Sequence, residues 1–286
     1  MTFLHRHRRL TPYLLLGPGL AWLTLFFLAP LGFLGHQSLE TQNPLDLTYT
    51  FKWAWHNYGD AITNYHTQLI RSFEYAGLAT VLALGISYPL AYWIAFRGGR
   101  WKNALLLCIV GPFFVTYLIR TLAWETILAD NGFVADRLRD LHLLGANDRL
   151  LATTTAVVAG ITYNFLPFMA LPLYVSLEQV DQRLVSAAQD LYANRAWAFL
   201  RITLPLSLPG IFAGTLLTFI PAAGDFINAQ LLGTPNQAMI GNVIQSKFLE
   251  LTDYPAAAAL SFILMITILV LVGIYARALG TERLTG

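Results

Sequence analysis

The sequence predicts an all-α, polytopic membrane protein with six transmembrane helices, and three observations lead there. Of 286 residues, 56% are hydrophobic and only 12% charged, about half the charged fraction of a soluble globular domain. The mean hydropathy is +0.54. The apolar residues cluster in uncharged runs at 10–39, 75–96, 103–119, 150–177, 202–224 and 254–276, each comparable to the roughly 20 residues that cross a bilayer core. Too few charges remain to cover a water-facing surface. A soluble enzyme, a disordered chain and a nucleic-acid binder are therefore excluded, and the lipid bilayer is the first partner.

The runs set spans at about 13–34, 73–96, 103–123, 152–176, 205–230 and 256–279. His5-Arg6-His7-Arg8-Arg9 precede the first. Its apolar stretch exceeds a signal-peptide core and no clean A-x-A site follows, so it reads as an uncleaved helix. An even number of spans puts both termini on one side. That side, with segments 97–102 and 177–204, holds 11 Lys and Arg, against 7 spread over longer loops opposite. The denser side is cytoplasmic. The outer loops, about 35–72, 124–151 and 231–255, hold most of the acids, among them Asp46, Asp60, Asp130, Asp136, Asp140, Asp148, Glu250 and Asp253. Trp53, Trp55, Tyr58 and Tyr65 suit a membrane-interface segment. No loop is large enough for a catalytic domain and no linker appears, so residues 1–286 read as a single transmembrane domain.

Several chemistries are missing. The three lysines, Lys52, Lys102 and Lys247, follow Phe, Trp and Ser. There is therefore no G-x-x-x-x-G-K-[ST] loop to cradle phosphates, and H-E-x-x-H and G-x-S-x-G are absent. Cys108 is the only cysteine and reads as a packing residue; the six histidines lie at or beyond the ends of the runs. The chain reads as no enzyme, with no catalytic residue, metal site or bound cofactor. Gly210 and Gly214 form a G-x-x-x-G pair that permits close helix approach, though ordinary packing accounts for most such pairs.

The segment between spans four and five, 177–204, is longer than a connection requires and amphipathic. At helical spacing Leu184, Ala187, Ala188 and Leu191 form one stripe, while Gln189 and Asp190 point away. The Ala-Ala face lets another surface approach the backbone. Trp197, Phe199 and Leu200 form a second apolar cluster before Pro205. Two readings fit: a surface helix lying on the bilayer, and a docking helix for a cytoplasmic partner.

In this segment the sequence resembles the permease subunits of type I ABC importers, whose cytoplasmic loop carries E-A-A, three residues, G, nine residues and I-x-L-P. Ala187 and Ala188 occupy A-A, and Ile202, Leu204 and Pro205 occupy I-x-L-P, at the same spacing. Ser186 stands in place of the Glu and Tyr192 in place of the Gly. Asn164–Tyr174, Leu118–Thr121, Ala223–Phe226, Met239–Asn242 and Tyr254-Pro255 are similar to the spermidine/putrescine branch of these permeases. The resemblance implies a permease fold in a bacterial inner membrane, with an ATPase-coupling loop at Ser186, Ala187, Ala188, Asp190, Leu191, Tyr192, Ala193, Ile202, Leu204 and Pro205. It implies four kinds of partner: a second, homologous permease in a heterodimer, two cytoplasmic ATPase subunits that use ATP and Mg, an extracytoplasmic solute-binding protein, and a small cationic solute.

Charge inside a bilayer asks for a reason. Asp225 lies late in span five between Pro221 and Asn228, among residues that break the helix. It either faces a transport pathway and attracts a cation, or accepts hydrogen bonds from free backbone amides. Asn228, Tyr163 and Asn164 are further pathway candidates, with helix–helix hydrogen bonding as their alternative. Arg120 with Glu125, and Arg71 with Glu74, read as interfacial ion pairs. The competing functional class is an ion-coupled secondary transporter working alone, for which Asp225 is the single candidate acid and no internal repeat is visible.

Overall fold

The computed structural model describes residues 11–43, 48–142, 144–145 and 148–279. His5, Arg6, His7, Arg8, Arg9, Asp46 and Arg283, on which part of the topology reading rests, lie outside the described residues. The elements are overwhelmingly helical. α1 (Thr11–Leu23) continues through a π turn at Thr24–Leu28 into α2 (Ala29–Ser38). A hairpin of β1 (Glu40–Gln42) and β2 (Tyr49–Phe51) and the long α3 (His56–Arg97) follow. α4 (Lys102–Val110), α5 (Tyr117–Leu128) and α6 (Phe133–Asp140) lead to α7 (Thr154–Glu178). α8 (Gln182–Asp190), α9 (Arg195–Ala198), α10 (Leu204–Leu206) and α11 (Leu208–Ala223) come next. α12 (Ile227–Leu232), α13 (Ile240–Gln245) and α14 (Tyr254–Leu279) complete the described chain.

Among the described residues, four helical stretches are long and apolar enough to cross a membrane: Leu16–Ser38, His56–Arg97, Thr154–Glu178 and Tyr254–Ala278. Two bent pairs bring the number to six if each is one span: Gly99–Phe114 with Tyr117–Leu128, at 95°, and Arg195–Leu206 with Leu208–Ala223, at 61°. The first bend departs from the straight helix expected over 103–123. After Gly111-Pro112 the backbone turns extended at Val115 and Thr116, and the N–H missing from Pro112 weakens helical continuation there. The second bend falls at Ser207 between Pro205 and Pro209. The Ser207 hydroxyl donates to the Leu204 carbonyl at 2.9 Å and lies 2.9 Å from the Tyr88 hydroxyl. α11 then ends at Ala223, short of the 230 expected, because Gly224 and Phe226 leave helical geometry.

The chain divides into two compact units. The first comprises residues up to Asn64 and Ile244–Ile263. Its hairpin pairs Glu40 with Phe51 and Gln42 with Tyr49, and the Asn57 side-chain amide ties it to the helix end by donating to the Ser38 and Glu40 carbonyls at 2.9 Å each. Trp53 and Trp55 are each 63% exposed. The stretch Leu16–Ser38 buries none of its apolar window; an apolar helix bare on every side within its own chain is suited to lipid contact.

The second unit comprises Tyr65–Val243 and the chain from Leu264 onward; α3 leaves helical geometry at Tyr65, where this unit begins. Two buried clusters lie in it: Val157, Ile161, Ala222, Leu232 and Met239 around one, and Ile94, Met169, Leu173 and Leu177 around the other. α7 contributes to both and crosses α11 closely, because the glycine pair is used. A Cβ on Gly210 would sit 2.5 Å from Ser176 Cβ and 2.7 Å from the Pro172 carbonyl oxygen, and one on Gly214 2.8 Å from Met169 Sδ. Cys108, expected as a packing residue, is instead exposed on α4, because Leu105, Leu106 and Ile109 turn the opposite face of that helix to the second cluster. Enlarging Gly210 to Val is expected to force α7 and α11 apart and destabilise the fold by about 1–3 kcal/mol, read as a lower unfolding midpoint of the detergent-solubilised protein. An unchanged midpoint would show that the crossing does not depend on this contact.

Candidate functional site

Two constellations are built by the second unit. The first is the α8–α9 segment. The Asp181 side chain caps α8, accepting from the Arg183 amide at 2.9 Å, and the Asn194 side chain caps α9, accepting from the Trp197 amide at 2.7 Å. Between them the chain reverses through a Schellman motif. The Ala193 amide donates to the Ala188 carbonyl and the Tyr192 amide to the Gln189 carbonyl, each at 3.0 Å. The motif places Tyr192 at φ +66°, the left-handed conformation that suits glycine; a side chain there costs on the order of 1 kcal/mol. The sequence departure at 192 is thus a glycine-type backbone carrying a tyrosine.

The turned pair of helices encloses a cleft of about 690 Å³ lined by Leu184, Ala187, Ala188, Leu191, Tyr192, Ala193, Asn194, Trp197, Arg201 and Ile202. The expected stripe of Leu184, Ala187, Ala188 and Leu191 forms one wall, and Trp197 the other. Ser186 is exposed, its hydroxyl donating to the Gln182 carbonyl at 3.2 Å. Asp190 is exposed beside the cleft, while Leu204 and Pro205 begin the short turn that leads to α11. The Arg201 guanidinium lies 5.4 Å from the Trp197 ring centroid. The arrangement can receive an apolar ridge from another protein against the thin alanine wall.

The second constellation joins α5, α7 and the α11–α12 break. Asp225 is 6% exposed, and both carboxylate oxygens are engaged. Oδ1 accepts from the Ile227 amide at 3.0 Å and the Asn228 amide at 3.4 Å. Oδ2 accepts from the Tyr117 hydroxyl at 2.8 Å and the Asn228 side-chain amide at 2.5 Å. The Asn164 side-chain amide donates to Asn228 Oδ1 at 3.2 Å and to the Thr121 hydroxyl at 3.1 Å. Gly160 admits this cluster: a Cβ there would meet Asn228 Oδ1 at 2.6 Å. Three of the four expected pathway residues, Asp225, Asn228 and Asn164, therefore meet in one network. Tyr163 does not join it and packs against Trp124 at 5.4 Å.

Sequence reasoning left Tyr117 and Thr121 without site roles; their i, i+4 spacing, which puts both on one face of α5, was the available signal. Neither expected interfacial ion pair forms. Arg120 is buried, its guanidinium 4.6 Å from the Phe113 ring centroid and 5.7 Å from that of Tyr117. Residues five apart on a helix point about 140° away from one another, which separates Arg120 from Glu125. Arg71 donates instead to the Ala238 carbonyl at 2.9 Å. Among the described residues no group of His, Cys, Asp and Glu could hold a metal ion.

These features define a class: a polytopic α-helical membrane protein with an open two-helix cleft joined directly to a bent helical pair. Residues 87–281 match the family described as binding-protein-dependent transport system inner membrane component. The chain is 37% identical over 259 residues to the spermidine/putrescine transport system permease protein PotB of Haemophilus influenzae, with 90% of each covered. It is also 37% identical over 214 residues to PotB of Escherichia coli, covering 75% of this chain and 78% of that one. In fold it is similar to a bacterial ABC transporter involved in the import of the acidic polysaccharide alginate, at TM-score 0.68 and 20% identity, covering 99% and 98% of the two chains. The chain belongs to the family of binding-protein-dependent transport system inner membrane components, a family of non-catalytic permease subunits. Family membership sets aside the ion-coupled secondary transporter.

Asp225 carries the next expectation. An Asn at 225 presents its NH2 to donors in either orientation, to the Ile227 and Asn228 amides or to the Asn228 side-chain amide. Asp225→Asn is expected to destabilise the fold by about 1–3 kcal/mol, read as a lower unfolding midpoint in detergent. A wild-type midpoint combined with lost uptake would assign the charge to the transported solute instead.

Proposed function

We propose that this chain is the permease subunit of an ATP-driven importer of polyamines such as spermidine and putrescine, delivered by an external binding protein. The docking cleft at 184–202 carries the reading, since a permease without nucleotide chemistry of its own must receive the work of ATP hydrolysis through a contact. In this reading the chain pairs with a second, homologous permease and two cytoplasmic ATPase subunits, which hold the ATP and Mg. Both termini and segment 177–204 face the cytoplasm, in keeping with the denser Lys and Arg on that side. The two compact units work as one transmembrane permease domain in the bacterial inner membrane. The polyamine assignment rests on the names of the relatives.

The coupling step follows from the chain path. ATPase closure moves α8 and α9, and the π turn at Phe199–Thr203 passes that motion through α10 to the bend at Ser207 and so to α11. α11 cannot slide freely on α7, because Gly210 and Gly214 lock it there, so displacement reaches the α11–α12 break and Asp225. For the pathway we favour Tyr163 with the network of Asn164, Asn228 and Asp225. Asp225 acts in it chiefly by fixing the break that borders the path, since its oxygens are already occupied.

An Ala187→Asp substitution places a desolvated, unpaired charge in the docking face. It is expected to lower binding-protein-stimulated ATPase activity and polyamine uptake at least about tenfold, the effect of roughly 1.4 kcal/mol, while membrane insertion persists. Unchanged coupled activity would refute the docking role. For orientation, a cysteine at the exposed Ser186, in a background lacking Cys108, is expected to react with an impermeant maleimide only after cells are opened; labelling of intact cells would reverse the topology.

A further inference from the structure

The cleft has one feature that ATPase docking by itself does not require. Tyr192 holds φ +66° and is 99% exposed, and among the described residues its ring makes no aromatic, cation or hydrogen-bond contact. Its neighbour Leu191 is 81% exposed. Exposure of this degree is unremarkable on a lipid-facing helix, but residues 191 and 192 lie outside every candidate membrane span. The Schellman hydrogen bonds hold the left-handed backbone, but glycine would serve that turn at lower cost, and among the described residues nothing receives the ring.

We propose that Tyr192 is a specificity-determining residue for the ATPase partner: its ring is a knob that enters an apolar recess on that subunit, beside the Ala187–Ala188 wall. This rests on the reading of 184–202 as the ATPase-docking cleft. Three observations favour a protein over the bilayer as occupant. The site is a cleft of about 690 Å³, which a flat lipid surface does not fill. Asp190, exposed two residues before the ring, resists burial in hydrocarbon. Arg201, stacked on Trp197 at the cleft wall, adds a positive edge. The partner surface that fits is an apolar recess with an acidic rim opposite Arg201, and an ATPase shaped for a glycine at this position would lack the recess. The Schellman turn fixes the backbone beneath the knob, so only the side-chain torsions of Tyr192 remain to be ordered on contact.

The backbone and the ring can be separated experimentally, because glycine at 192 relieves the left-handed conformation while deleting the knob. The assembled transporter is reconstituted in nanodiscs with the ATPase subunit that co-purifies with it, and the affinity of that subunit is measured by dissociation on dilution. Tyr192→Gly is expected to slow amide exchange at Ala193, as the turn relaxes, and yet to weaken ATPase affinity about tenfold, the loss of one buried aromatic anchor. Tyr192→Phe, which keeps the ring, is expected to restore most of the affinity. Wild-type affinity in Tyr192→Gly would overturn the proposal, and a loss of contact with nitroxide-labelled lipid in that variant at unchanged ATPase affinity would overturn it in favour of the bilayer. Ala187→Asp separates the two levels of failure. If it uncouples while Tyr192→Gly binds normally, only the knob is wrong; if neither has any effect, the docking reading fails with it.

Discussion

Inside a bilayer no water is available to an unpaired backbone amide, so each break in a helix must supply its own hydrogen-bond partner. The breaks of this protein are organised by that constraint. Where α11 ends at Ala223, Asp225 Oδ1 accepts from the first amides of the next helical turn, and Oδ2 gathers Tyr117 and Asn228. At α13, the amide of Ile240 donates to the Ser72 hydroxyl and that of Met239 to Asn242 Oδ1. The Asn242 side-chain amide in turn donates to the Phe226 carbonyl at 2.8 Å. The motifs around Asp225 and Met239–Asn242, about fifteen residues apart in sequence, are thereby one structure. A Cβ on Gly241 would lie 2.6 Å from the Gly224 carbonyl oxygen, so the second motif closes over the first.

The same constraint governs the bend that follows the α8–α9 cleft. A Pro-bracketed bend at Ser207 is tolerable because the serine hydroxyl takes up the Leu204 carbonyl. It turns the chain by 61° between the helical stretch that carries Trp197 and the one that carries Gly210 and Gly214. Tight packing on one side of the bend and an open cleft on the other make α11 the element through which a surface event can reach the buried polar network. Helix caps at Asp181 and Asn194 and the Schellman turn shape the cleft, and Phe199, packed on Tyr88 and Tyr92 at 5.7 and 5.9 Å, ties its base to the core.

Charge placement is economical. Asp225 is neutralised by hydrogen bonds rather than by a counter-ion, and Arg120 is sheltered by two aromatic rings. Arg120 does not meet Glu125, because residues five apart on a helix point about 140° away from one another. The described ion pairs, such as Lys102 with Glu178 at 3.1 Å and Lys247 with Asp253 at 2.9 Å, are partly exposed and contribute modestly to stability.

The sequence by itself determined the solvent of this protein and its class. Scarce charge and clustered apolar runs leave the bilayer as the only medium that satisfies them, and the amphipathic segment before Pro205 is visible because helix stripes and proline breaks are local properties. The stripe of Leu184, Ala187, Ala188 and Leu191 was legible for that reason. Only the tertiary structure decided what depends on distant residues meeting. The sequence left open whether Gly210 and Gly214 were used, whether Asp225 was free or capped, and where Arg120 and Arg71 found partners. It showed that Tyr192 replaces a glycine but not that the backbone keeps the glycine conformation, since a left-handed turn is fixed by the hydrogen bonds of Tyr192 and Ala193 to the helix behind them. Periodicity fixes which face a residue occupies, whereas what that face meets is set by the packing of chain segments tens of residues apart.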